Sequence, residues 1–336
     1  MFKRILIPLD GSSRAERAIP TAARIACASH SSIVLLRVIG VPIEYVTDAD
    51  PPPFIIRQVL DMDRTWTNQY LKTVAASPHL KSIEVQMATI PGTPAQTIPA
   101  VVRSQQADLV VMCSHGDIGF KRWMVGSVAE EVIHHTPIPV LVLHQDGSGL
   151  TPFSIEDARP VRALVALDGS EEATLTLNPT ANLVAALSAP ASGEIHLMQV
   201  IKPSSATDEE SSQAQGQVLY EAQKYLRSVA ASLYSSFAEK LNLKVTWSAV
   251  VSEHVAETLI RAAEQGKDEE ENKVCDACDL IALATRSRSD IERWTRGCVT
   301  DRVLGYTRLP LLIVRRHEQP MPAISEQVQA AHVSSG

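Results

Sequence analysis

The sequence predicts an α/β fold made twice over: two tandem, open-twisted, five-stranded parallel sheets with helices on both faces. Three observations carry that expectation. First, the chain repeats itself. "RILIPLDGS" (Arg4–Ser12) returns as "RALVALDGS" (Arg162–Ser170), and "IVLLRVI" (Ile33–Ile39) as "IHLMQVI" (Ile195–Ile201). "ADLVVMCSHG" (Ala107–Gly116) returns as "CDLIALATRS" (Cys278–Ser287), and "IPVLVL" (Ile138–Leu143) as "LPLLIV" (Leu309–Val314). The order is kept, as a duplicated unit requires. Second, short β-branched runs alternate with longer stretches of helical period, the pattern of a doubly wound sheet. Third, the short runs are apolar throughout, which suits strands covered on both faces.

In the first half the strands are expected at Ile5–Leu9, Ile33–Ile39, Ile83–Met87, Leu109–Cys113 and Val140–Leu143. After the first of them, "SRAERAIPTAARIACA" has helical spacing, and Ser13 with Glu16 has the form of a capping box. Pro20 inside this helix should bend it, because proline lacks the N–H a helix uses. A helix is expected from near Phe54 and another from near Pro94, where proline suits a first turn. Between strand and helix, "GVPIEYVTDADPPPF" (Gly40–Phe54) is long and proline-rich, and is expected to overhang the sheet as a lid. "SVAE" (Ser127–Glu130) is a second capping-box pattern, at the start of the helix before the last strand.

The first domain is placed at 1–146, a linker at 147–160, the second domain at 161–317 and a tail at 318–336. "QDGSGLTPFSIEDARP" (Gln145–Pro160) has the Gly, Ser and Pro of a linker. "GKDEEENKVCDA" (Gly266–Ala277) is an acidic insertion found only in the second half. The tail is polar and rich in small residues.

Bulk properties narrow the function classes. The 336 residues suffice for about two domains, and a hydrophobic content of 45% supports sizeable cores. A net charge of -7 argues against a general nucleic-acid binder, which would need a basic face. Five cysteines without framework spacing suggest a reducing setting. The N-terminal apolar run is too short for a signal peptide, and no apolar stretch reaches the length of about 20 residues that a membrane helix needs. A soluble cytoplasmic protein is expected.

The richest motif is "CSHGDIGFKRWMVGS" (Cys113–Ser127), which leaves a buried strand and enters a helix. Gly116 and Gly126 would let backbone N–H groups approach a ligand, with the positive helix end aimed at the same spot, so a phosphate is the natural guest. Ser127 could add a hydroxyl. The spacing equally fits a turn that starts a helix, with Ser127 only a cap. Asp10, ending "PLDGS", could bond a ribose hydroxyl or a metal, or cap the next helix; Asp168 repeats it. Lys121, Arg122 and His115 could face phosphate oxygens or be solvated. His134 and His135 end a helix, where partial positive charge suits the dipole. Cys275 and Cys278 form a C-x-x-C that reads as an incidental pair: a zinc site would need two more ligands, and a redox pair would precede a helix rather than a strand. No catalytic constellation is visible in the sequence.

Together, "ILIPLDGS", "LLRVI", "ADLVVMCSHG", "GSVAEEVIHHTPIPVLVL" and their second copies resemble the universal stress protein family, over nearly all of both halves. The resemblance implies a Rossmann-like, adenine-nucleotide-alpha-hydrolase-like fold. The family's ATP-binding branch carries G-x-x-G-x9-G-[ST], which falls here on Cys113, Gly116, Gly126 and Ser127, with cysteine in the first glycine's place. It further implies that Asp10, with Pro8 nearby, contacts the nucleoside, that Val38 meets adenine through its backbone, and that Val128 lines the phosphate site. In the second half the pattern reads Ala284, Ser287, Gly297 and Cys298, so the serine hydroxyl and two glycines are missing. Arg286 and Arg288 could draw a phosphate or fill the vacant pocket. Asp168 and Val200 remain. The resemblance thus implies ATP, with magnesium as a candidate companion, in the first half and weak or absent binding in the second. It also implies an intramolecular pseudo-dimer in which Val140–Leu143 pairs with Leu311–Val314, and it leaves room for a homodimer of whole chains. The function expected is a stress-response sensor or regulatory module with at most slow hydrolysis. The alternative is a scaffold of the same fold that binds no nucleotide.

Overall fold

The computed structural model describes residues 1–40, 53–114, 126–144, 150, 159–203, 209–268, 272–285 and 299–315. The first half runs β1 (Arg4–Leu9), α1 (Ser13–Glu16), α2 (Ala18–Ser29), β2 (Ser32–Ile39), α3 (Pro53–Ala75), β3 (Val85–Pro91), α4 (Pro94–Ser104), β4 (Leu109–Cys113), α5 (Ser127–His135) and β5 (Val140–Leu143). The second runs β6 (Arg162–Ala166), α6 (Glu171–Thr174), α7 (Leu177–Ser188), β7 (Gly193–Ile201), α8 (Glu209–Leu233), β8 (Leu243–Val251), α9 (Val255–Gln265), β9 (Leu280–Thr285), α10 (Val299–Tyr306) and β10 (Leu311–Arg315).

The strands form one ten-stranded sheet in the order β3-β2-β1-β4-β5-β10-β9-β6-β7-β8. Pairing is parallel within each half. The halves join where β10 runs antiparallel to β5, with Leu312 opposite Leu141. The two five-stranded sheets are thus joined edge to edge through the expected pairing of Val140–Leu143 with Leu311–Val314. Leu141, Val142 and Leu312 are fully buried, so β5 and β10 each cover what would otherwise be an exposed apolar edge.

Alternate residues of every strand enter opposite cores, as a period of two demands. Ile5, Ile7, Ile33, Leu35, Leu109 and Val111 pack with α2, α3, α7 and α8 on one face. Leu6, Val34, Leu36, Val110 and Met112 pack with α4, α5, α9 and α10 on the other. Both cores run through both halves, and α2 also touches α7 across the seam.

Three local expectations are corrected. The third strand begins at Val85 rather than Ile83, whose N–H donates to Leu80 O in the preceding turn, and it runs on to Pro91. A proline is tolerated there because β3 is an edge strand. The first helix is broken rather than bent: α1 ends at Glu16 and α2 begins at Ala18. Glu16 O is the acceptor that the missing N–H of Pro20 would have used. Pro179 interrupts α6 and α7 in the same manner. The cap of α1 is Ser12, not Ser13: Ser12 Oγ accepts from Ala15 N at 3.1 Å. The helix start at Pro94, with Pro at the first position, is as expected. The proposed lid lies, apart from its end residues, outside the described residues.

Candidate functional site

In the first half the chain winds from β1 outward through β2 and β3, then crosses to β4 and β5 on the other side. The reversal lies between β1 and β4, and ligands of such sheets bind at the carboxyl ends of the strands beside that point. Pro8 shapes this end. The β1–β4 ladder stops at Leu6↔Val110. Extending it to Ile7 and Val111 would need an N–H at residue 8, and proline has none. In the second half Ala166 holds the matching place, and the β6–β9 ladder continues to Val165↔Ala282. The ladder beside the switch point is thus one pair shorter in the first half than in the second.

Asp10 follows directly on β1 and is exposed. Its Oδ1 accepts from Ser12 N at 2.9 Å and from Ser12 Oγ at 2.6 Å. Gly11 makes this turn possible with φ +84. The aspartate therefore orients the serine that caps α1, so the local role is realised whatever else Asp10 does. Asp168, Gly169 and Ser170 repeat the arrangement, with Asp168 Oδ1 accepting from Ser170 N at 2.9 Å. The β1–β2 pairing ends at Leu9↔Arg37, so Val38 is the first residue of β2 beyond the end of β1. It is half-buried and packs on the α4–α5 side.

Cys113 ends β4 and stays in register with Leu143. Its side chain is buried in the core on the α2 face. Burial pushes its thiol pKa up to about 12, with Asp10 adding to the rise and Arg17 opposing it. The cysteine in the first glycine's place is thus a neutral packing group. His115, Gly116, Lys121 and Arg122 lie outside the described residues.

The start of α5 departs from expectation. The N-cap is Gly126 (φ -58, ψ 146), and no side chain caps the helix. Ser127 is an exposed first-turn residue, so the Ser127–Glu130 capping box is not made. Glu130 N donates to Gly126 O at 3.0 Å. Gly126 has an extended conformation open to any L-residue, so positive φ is not the reason for glycine here. Val128 is half-buried against the α4–α5 core. At the far end, burial lowers the His134 pKa, against the positive charge expected of it. His135 Nδ1 lies 3.0 Å from Glu131 Oε2.

The sequence reading missed a cluster beside Asp10. Arg37 lies 5.7 Å from the Trp66 ring centroid, and Trp66 stacks on Tyr70 with centroids 5.6 Å apart. A Cβ on Gly11 would stand 3.1 Å from Arg37 Nη1 and 3.2 Å from Trp66 Cη2, so the turn and the cluster touch. Arg37 Nε is buried with no hydrogen-bond partner among the described residues. Burial, then Glu16, raises the Tyr70 pKa, and Asp10 adds to the rise. An arginine inside the apolar run "IVLLRVI" was the signal available.

In the second half Gln199 lies 3.7 Å from the Cβ position of Gly169, where the first half has Arg37. Val200 pairs with Val250. The carbonyl of Ala284 accepts from Thr300 Oγ1 at 3.4 Å. Arg286, Ser287, Arg288, Gly297 and Cys298 lie outside the described residues. Among the described residues, no group of three or more His, Cys, Asp or Glu could hold a metal ion, and no helix is long and apolar enough to cross a membrane.

Comparison with known proteins agrees with this architecture. The sequence model of the universal stress protein family matches residues 1–144 and again 161–315. A universal stress protein of Methanocaldococcus jannaschii is 29% identical over 143 residues, covering 43% of this chain and 82% of its own. A crystal structure of a universal stress protein from Archaeoglobus fulgidus superposes with a TM-score of 0.59 at 19% identity, covering 94% of this chain and 98% of its own. A functionally unknown protein from Pseudomonas aeruginosa gives 0.56 at 15% identity, covering 94% and 93%. These structures share the fold. With two family domains spanning both halves, the chain belongs to the universal stress protein family.

Proposed function

We propose that the first half binds an adenine nucleotide, ATP with magnesium as its candidate companion, and that the chain acts as a stress-response sensor or regulatory module. The observation that carries this reading is the open end between β1 and β4, where the ladder stops at Leu6↔Val110. Around it stand Asp10, the end of β2 at Val38, and the first turn of α5, which has no side-chain cap. First-turn N–H groups without a side-chain acceptor suit a phosphate. Ser127, exposed and released from capping, can add its hydroxyl, with Gly116, His115 and Val128 completing the cradle. Pro8 contributes by what it withholds from the ladder. Arg37 brings a cation to the Asp10 side. In the second half the ladder is longer and Ala284 O is already engaged, so Asp168, Val200, Ala284 and Gly297 make at best a weak site.

Calorimetric titration of the full chain with ATP tests the reading. One nucleotide per chain is expected. Gly126→Val is the decisive variant, because φ -58 and ψ 146 accommodate valine and the fold should persist. Losing one or two charge-assisted hydrogen bonds should weaken binding by about 10- to 100-fold. No binding at millimolar ATP would refute the reading, and equal binding by the variant would misplace the site.

The scaffold reading has one observation in its favour. Asp10 already has a structural task in the Ser12 cap, so its recurrence as Asp168 needs no ligand.

A further inference from the structure

Cys275 lies in the insertion of the second half, and Cys278 directly follows it. α9 terminates at Gly266, whose φ of +74 is left-handed. The chain then folds back against it. Val274 N donates to Gly266 O at 2.8 Å, and Cys278 N to Ala263 O at 2.6 Å. A Cβ on Gly266 would stand 2.5 Å from Cys275 O, so only glycine permits this closure. Cys278 is buried and Cys275 half-buried.

Cys275 Sγ donates to Ala262 O at 3.3 Å and Cys278 Sγ to Asp276 O at 3.6 Å, so both thiols are held at the same end of α9. Arg162 binds the stretch between them: its Nη1 donates to Ala277 O at 2.9 Å, and its Nη2 lies 3.3 Å from Asp276 Oδ2. Its Nε donates to Glu194 Oε2 at 3.0 Å. The neighbouring Cys278 thiol chiefly lowers the Cys275 pKa and Arg162 assists, while burial, Asp276 and Glu194 oppose. The proximity of Cys275, then burial, raises Cys278, with Asp279 adding and Arg162 opposing. The accessible sulfur is the better thiolate, and the buried one keeps its proton.

We propose that Cys275 and Cys278 form a reversible dithiol–disulfide pair that exchanges with low-molecular-weight disulfides. The Cys275 thiolate attacks one sulfur of the small disulfide, whose S–S bond breaks and releases one thiolate. That thiolate takes the Cys278 proton. The Cys278 sulfur then attacks Cys275, and the second small thiolate leaves and is protonated from water, replacing the proton Cys275 had lost. Two protein thiols are oxidised, and one small disulfide is reduced to two thiols. The pair lies at the amino ends of β6 and β9, apart from the β1–β4 crevice, so it stands independently of nucleotide binding.

The test exposes the full chain to graded mixtures of reduced and oxidised glutathione, followed by acid quench, alkylation, tryptic digestion and mass spectrometry. Cys275 and Cys278 share the tryptic peptide spanning 274–286, away from the other cysteines. The expected product is that peptide, unalkylated and lighter by two hydrogens. Cys278→Ser should leave a stable glutathione adduct on Cys275. In reduced wild type, which needs no variant to fold, iodoacetamide should label Cys275 about tenfold faster than Cys278. The proposal is overturned if both thiols stay alkylatable while exposed Cys27 reacts, if a mixed disulfide persists on wild-type Cys275, or if Cys278 labels first.

Discussion

Acidification probes a buried histidine on β7 and its hydrogen-bond network. His196 on β7 is 2% exposed. Its Nδ1 meets Thr246 Oγ1 at 2.8 Å and its Nε2 meets Ser248 Oγ at 2.8 Å, both on β8. Burial lowers its pKa from the ordinary 6.5 to about 4; Glu194 opposes the drop and Arg162 adds to it. The folded pKa is depressed, so the unfolded chain takes up the proton first as pH falls. The stabilisation is complete above 6.5 and is lost down to about pH 4. Linkage gives a loss of about 1.4 kcal/mol between pH 8 and pH 5.5, approaching about 3 kcal/mol below pH 4. The interval from about pH 5 to 6.5 separates this loss from ordinary carboxylate titration. Urea unfolding at several pH values, on wild type and His196→Gln, is the assay. The variant cannot charge, so its stability should fall less by about 1.6 kcal/mol across that interval. His134, also lowered by burial, leaves a smaller slope of the same sign in both proteins. Parallel profiles would show that His196 charges in the folded state without resistance, and the argument from its burial would fail.

Other residues offer equally direct tests. Pro8→Ala supplies the missing N–H, so the amide at position 8 should become protected from hydrogen exchange while ATP affinity falls; an unprotected amide would refute the ladder argument. Ser12→Ala and Ser170→Ala each remove an N-cap and should each cost about 1 kcal/mol in urea unfolding. The two caps are far apart, so the double variant should lose about 2 kcal/mol, and clear non-additivity would contradict separate roles. Leu312→Ala and Leu141→Ala should each cost about 2–5 kcal/mol, being fully buried. These two face each other across the seam, so a double-mutant cycle should show coupling, and strict additivity would argue against the pairing in solution.

What the sequence disclosed depended on how local the signal was. Leu109–Cys113 and Val140–Leu143 were legible to the residue because both are continuous apolar runs between turn residues. β3 was misplaced by two residues at its start and four at its end because it is an edge strand, only half-buried along its length, and Ile83 belongs to the turn before it. The cap of α5 was misread because Gly126 and Ser127 are both acceptable caps, and only backbone geometry decides between them. Arg37, Trp66 and Tyr70 were missed for a different reason. They meet across β2 and α3, and although an arginine in an apolar run marks Arg37, nothing in α3 announces its partners. The thiol pair shows the same limit: its spacing was visible, while Arg162, whose guanidinium distinguishes it from an incidental pair, comes from a distant strand.

The antiparallel seam decides how the halves can work together. Strands are parallel within each half, so pairing β5 against β10 reverses the second half relative to the first. The carboxyl ends of β1 and β4 therefore lie on the same edge of the sheet as the amino ends of β6 and β9. One ligand cannot bridge the two carboxyl-end crevices, because they open on opposite edges. What shares an edge with the first-half crevice is the cysteine loop, separated from β4 by β5 and β10. At the usual strand spacing, β4 and β9 lie about 14 Å apart. The seam also carries a polar link of matching polarity, because Arg315 at the end of β10 donates to His134 O at the carboxyl end of α5. A cation at that helix terminus is favourable, and it ties the carboxyl edge of one half to the amino edge of the other. The duplication therefore gives one edge that carries both the proposed nucleotide crevice of the first half and the thiol loop of the second. The two copies differ at Pro8 against Ala166 and in the inserted loop, so the two halves are not equivalent along that edge.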